Sequence, residues 1–113
     1  MQQPTQTSPP DDAPRPTVAT ALRAAANLRL LVRNHSGVMS HICGLFARRG
    51  FNVDGILCLP VGDATRSVIF LVVNEDERLE QLIRQLRKLE DVIEVRRAPE
   101  AQAMFSAVTA WLR

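Results

Sequence analysis

Leu28, Leu30 and Val32 alternate with Arg29, Leu31 and Arg33, a period of two that predicts a strand from Asn27 to Arg33. After a polar turn the period lengthens. Val38, Ile42, Leu45 and Phe46 recur at the spacing of one helix face. Ser36 is placed to cap that helix, and Gly50 to end it behind Arg48 and Arg49, which suit the negative end of its dipole. A second strand is expected from Phe51 to Leu59, with Phe51, Val53, Leu57 and Leu59 on one side and Pro60 as its end. The Gly62-Asp63 turn leads into a third strand, Arg66 to Val73, apolar on both faces. Asn74 with Glu77 reads as a capping box for a second helix with Leu79, Leu82, Ile83, Leu86 and Leu89 inward. A fourth strand follows from Asp91 to Arg97, with Ile93 and Val95 inward.

The order βαββαβ predicts an α+β, ferredoxin-like domain over residues 27–98: a four-stranded antiparallel sheet with two helices on one face. Residues 1–26 are a Pro/Ala-rich extension with too little apolar surface to offset ordering, and are expected to be disordered. Alanines near its end allow at most a short helical stretch. In the tail, 99–113, Met104, Phe105, Val108, Trp111 and Leu112 fit a helical stripe, while Phe105, Ala107, Thr109 and Trp111 fit a strand. The open face of the sheet is expected to carry Leu31, Ile56, Cys58, Ile69, Leu71 and Val73. That much exposed apolar surface calls for a cover, either the tail or a partner. The second strand should lie at an edge, where a sister chain can extend the sheet.

Composition narrows the function. One domain is the expectation for 113 residues, and a net charge of +2 is too even to advertise a polyanion partner. Four Phe, one Trp and no Tyr supply no base-stacking platform, so no nucleic acid is expected. Cys43 and Cys58 form no framework and read as reduced thiols of a core. With no apolar run of membrane length and no signal-peptide block, a soluble, cytoplasmic protein is expected, with no membrane partner.

The chemistry-bearing stretch is RNHSGVM, Arg33 to Met39. His35 and His41, with Ser36 and Ser40 nearby, suggest a base and a nucleophile, but no acid adjoins them in sequence; Asp54 is the one that can approach in space. His41 and Cys43, two apart on a helix, diverge too far to share a metal. The turn itself precedes a helix, so its amides lack intrahelical partners, and Gly37 lets a ligand come close. It lacks GxxxxGK[ST] and GxGxxG and is too short for a nucleotide. A carboxylate fits, with a side-chain amide from Asn34 or Asn52 and apolar neighbours Val38, Met39 and Val53 completing an amino-acid site. A capped turn with nothing bound fits the same residues.

The N-x-x-G-V/A-[ML] pattern within βαββαβ resembles an ACT domain, the amino-acid-sensing module of metabolic enzymes. More narrowly, RNHSGVMSHICGLFARRGFNVDGILCLPV and RLEQLIRQLRKLEDVIEVRR resemble the small regulatory subunits of acetolactate (acetohydroxyacid) synthase, the short isozyme I type most nearly. That resemblance implies a non-catalytic, homodimeric subunit of branched-chain amino acid biosynthesis that docks on the catalytic large subunit. It implies valine as feedback effector at the interface of two ACT domains. Asn34, His35, Ser36, Gly37, Val38 and Met39 would form the effector loop, with Asn52 and Val53 facing it from the neighbouring chain. It also implies that thiamine diphosphate, Mg and FAD reside on the large subunit and that this chain carries no cofactor. Longer family members continue into a C-terminal domain whose contribution does not carry over. The alternatives are a stand-alone ACT sensor for another enzyme, or a small ferredoxin-like isomerase or lyase using His35 or Asp54.

Overall fold

The computed structural model describes Thr17 and residues 25–112. The expected disorder of the N-terminal extension falls largely outside them. Its last two residues, Ala25 and Ala26, already belong to the first strand.

The elements are β1 (Ala25–Arg33), α1 (Val38–Arg48), β2 (Val53–Val61), β3 (Arg66–Asn74), α2 (Leu79–Leu86) and β4 (Val92–Arg97), then a 3-10 turn (Pro99–Ala101) and α3 (Gln102–Leu112). The sheet is antiparallel in the order β2-β3-β1-β4, the ferredoxin-like arrangement, with β2 at an edge as expected. Helices α1 and α2 close one face. Their inward residues Ile42, Leu45, Phe46, Leu79, Leu82, Ile83 and Leu86 share one cluster with Leu28, Leu30 and Val32 of β1 and Ile69, Leu71 and Val73 of β3. Each such side chain contributes roughly 1.5–3 kcal/mol on burial, so this layer supplies most of the drive to fold.

Several expectations are corrected. The phase of β3 is the reverse of the one expected: Ile69, Leu71 and Val73 face the helices and are fully buried. An all-apolar strand offers no alternation to tell its two faces apart. In β2, Val53 pairs with Val73 but Gly55 with Val72, so Asp54 is an inserted bulge residue. The bulge switches the face of everything after it. Leu57 and Leu59 thus lie opposite Phe70 and Val68 on the open face, while Ile56 and Cys58 lie opposite Leu71 and Ile69. Of the six residues assigned to the open face, Leu31 alone belongs there by register. Pro60 sits inside β2, which runs on to Val61; an edge strand tolerates a missing donor. In β4 a shift between Leu31 and Val32 leaves Ile93 as the extra residue, 42% exposed, and Val92 goes inward with Val95. Both cysteines are exposed rather than in the core.

Helix starts also differ. Neither Ser36 nor Asn74 caps: the N-cap residues are Gly37 and Arg78, without side-chain cap bonds. Asn74 still ends β3, and Asp76 organises the entry to α2, its carboxylate accepting from the Arg78 amide at 2.7 Å. The tail is a helix. Its Phe105 reaches the open face, where a side chain at Gly55 would meet Val72 at 3.2 Å and Phe105 at 3.3 Å. The glycine is what lets the tail approach.

Candidate functional site

The turn between β1 and α1 is anchored at both sides. On one side Asn34 holds the β2–β3 turn: its amide donates to Thr65 O at 2.9 Å and its Nδ2 to Ala64 O at 2.8 Å. On the other, His35 Nε2 lies 2.6 Å from Asp91 Oδ2, just before β4, and His35 Nδ1 contacts the Ser36 carbonyl. Acceptors on both ring nitrogens call for a proton on each, and the imidazole is accordingly raised above its ordinary value, chiefly by the Asp91 hydrogen bond and then by the Ser36 carbonyl. Such a ring is a clamp. Neither nitrogen is left to take a proton from Ser36 or Ser40, and Asp54 bonds Asn52 instead of approaching it.

Gly37 carries the sharp entry into α1 at φ 94°, a conformation few other residues adopt. Only two bonds tie the start of α1 backward: Val38 N–H to His35 O at 3.4 Å and His41 N–H to Gly37 O at 3.1 Å. Among the described residues, the amides of Gly37, Met39 and Ser40 find no backbone acceptor outside the helix, and a side-chain carbon at Gly37 would meet nothing within 4 Å. The mouth of the turn is therefore open and donor-rich, at the positive end of a helix dipole.

The residues expected to line this site divide into three groups. Asn34, His35, Ser36 and Gly37 are exposed and together at the turn. Val38 is 6% exposed and serves the core, and Met39 is half-buried against it. Asn52 and Val53 lie elsewhere: Val53 is level with Val73, whereas the turn is level with Arg66, about seven residues or 24 Å along β3. One chain thus does not bring the two groups together. Both asparagines keep a side-chain carbonyl oxygen to spare, because Nδ2 makes the bond in each, to Ala64 O from Asn34 and to Asp54 from Asn52. Asp91 is the site residue that sequence reading missed. It lies 56 positions from His35, and only its place at the head of β4 hints at the approach.

Residues 28–94 match the sequence model of the AHAS small subunit-like ACT domain. The chain is 56% identical over 86 residues to the acetolactate synthase isozyme 1 small subunit of Escherichia coli (strain K12), covering 76% of this chain and 90% of that one. It is 41% identical over 69 residues to the isozyme 3 small subunit of the same organism, covering 60% of this chain and 42% of the other. Among solved structures it resembles the acetolactate synthase small subunit from Thermotoga maritima, with a TM-score of 0.59 and 34% identity over 65% of this chain and 46% of that one. The chain spans most of the isozyme 1 subunit but under half of the latter two.

Proposed function

The chain belongs to the acetolactate synthase small-subunit family, as an ACT regulatory domain rather than a catalytic subunit, and we propose that it senses valine for the catalytic large subunit. The observation that carries this reading is the start of α1, where unpartnered amides surround a positive-φ glycine with open space above it. A carboxylate is the anion of matching size. Its ammonium group would find the free carbonyl of Asn34, and its side chain the apolar surface at Met39.

The site is half-built in one chain, and the free edge of β2 supplies the other half. Two copies joined antiparallel through their β2 edges would bring Asn52 and Val53 of the partner subunit toward the Val61 end of this one. That is the end where Asn34 holds the β2–β3 turn. A homodimer therefore accounts for both groups of predicted residues at once. A ligand of about eight heavy atoms held this way binds in the micromolar to millimolar range, roughly −4 to −8 kcal/mol. Feedback inhibition then requires valine to favour one arrangement of the complex, with a coupling of about 1–3 kcal/mol. Bound to the large subunit, the chain stabilises and activates it, and the thiamine diphosphate, flavin and magnesium chemistry stays there.

Co-purification with the large subunit, followed by assay with and without valine, leucine and isoleucine, tests the reading. The expected result is higher activity in the complex and inhibition strongest with valine. A chain that binds an amino acid but neither captures nor alters the synthase is a sensor for some other enzyme.

A further inference from the structure

The sheet face turned away from α1 and α2 is closed at one end and open at the other. At the closed end Ala98 N–H bonds Asn27 O at 2.7 Å, Ala101 is buried, and Phe105 lies over Gly55 and Val72. Toward the other end Leu31, Leu57 and Phe70 are half-buried, and Leu59 is 55% exposed. Four arginines share this face by register: Arg29 opposite Arg96, and Arg33 opposite Arg66.

The two pairs are treated differently. Arg29 has Glu94 at 3.3 Å and Arg96 has Glu100 at 2.8 Å. Arg33 and Arg66 have no ion-pair partner among the described residues. Asp63 is the acid nearest Arg66 in sequence on this turn, and it is occupied by Thr65, accepting from its amide at 3.0 Å and its hydroxyl at 2.6 Å. Like charges directly opposite on adjacent strands are destabilising. The free chain thus carries an uncompensated cationic pair at the rim of an apolar patch.

We propose that this patch, Leu31, Leu57, Leu59 and Phe70 rimmed by Arg33 and Arg66, is the surface that docks on the catalytic large subunit, against an apolar patch bordered by carboxylates. The proposal rests on the regulatory reading above and names the surface that reading leaves unassigned. Charge selects the occupant. A second copy seated face to face would add two more uncompensated guanidinium groups to the same contact, whereas carboxylates from a different chain would neutralise both. The β2 edge remains available for self-association.

The test uses the full small subunit and the purified large subunit, with affinity measured by calorimetry at low and high salt. The R33E/R66E double variant should bind about tenfold more weakly or worse and lose most of the salt dependence, while R33K/R66K stays within about threefold of wild type. R66E alone should melt no lower than wild type, because it turns a like-charged cross-strand pair into one of opposite sign. That separates a docking role from a structural one. If wild type binds and R33E/R66E binds equally well, or if that variant alters only self-association of the small subunit, this surface is wrong. If wild type does not bind the large subunit at all, the regulatory reading fails and takes the surface with it.

Discussion

The two ends of α1 are built on opposite plans. At its C-terminus nearly every carbonyl is used. Gly50, at φ 74°, lets its own amide bond Ala47 O at 3.1 Å and the Phe51 amide bond Phe46 O at 2.9 Å. This paired closure is accompanied by its usual apolar contact, Phe51 edge-on to Phe46 at 6.2 Å. Arg78 then stacks 4.9 Å over the Phe51 ring and donates to Arg49 O at 3.0 Å. At the N-terminus Gly37 has the same kind of backbone and none of these partners. A helix needs one end secured to hold its place in the fold. The other end can keep donors spare, and that is where a ligand gains by binding.

The contrast can be broken most forcefully at the secured end. Phe51→Ala removes a buried ring and should lower stability by about 3–5 kcal/mol in a denaturant melt, with valine affinity of the folded fraction unchanged within about twofold. A variant that kept its stability but lost valine would show that the two ends are not separate in role. Gly37→Asp should do the reverse. Its carboxylate occupies the place of the ligand's, so calorimetry should show valine binding weakened at least about a hundredfold, near 2.7 kcal/mol. The fold should survive, since backbone strain at φ 94° is partly offset by an acid at the N-cap. Unchanged valine affinity in that variant would remove the turn from the site.

A finer distinction comes from pH, where the two ends should respond in opposite directions. His35 is raised above its ordinary 6.5 by its hydrogen bond to Asp91. Its clamp therefore contributes fully below 6.5 and fades as pH rises through the raised value. At the other end Arg78 holds Asp76 down, from 3.8 to about 2. That link contributes fully above 3.8 and fades as pH falls through about 2. NMR titration of the Gly37 and Gly50 amides should show the first moving on the alkaline side and the second on the acid side. Asp91→Asn should abolish the former transition alone, and Asp76→Asn the latter alone.

Wherever a residue's role depended on its neighbours in the chain, it was legible in advance. The helix stripes of α1 and α2, the Gly50 ending and the βαββαβ order all follow from periods of two and 3.6 and from one residue without a Cβ. The Asn34–Gly37 cluster was legible for the same reason, as a turn next to a helix start. Roles set by register were not. Asp54 and Ile93 look like ordinary strand residues, yet as bulges they exchange the faces of β2 and β4. Asp91 reaches His35 only because β4 lies beside β1.

The sequence by itself therefore determined the elements, their order, and a donor-rich turn ahead of α1, because hydrogen bonding and apolar periodicity act over a few residues. Only the tertiary structure decided which faces are buried, which acid clamps the turn, and that Asn52 and Val53 stand a strand's length from Gly37. Pairing between distant strands sets those relations, and a one-residue slip in it moves every side chain to the other face.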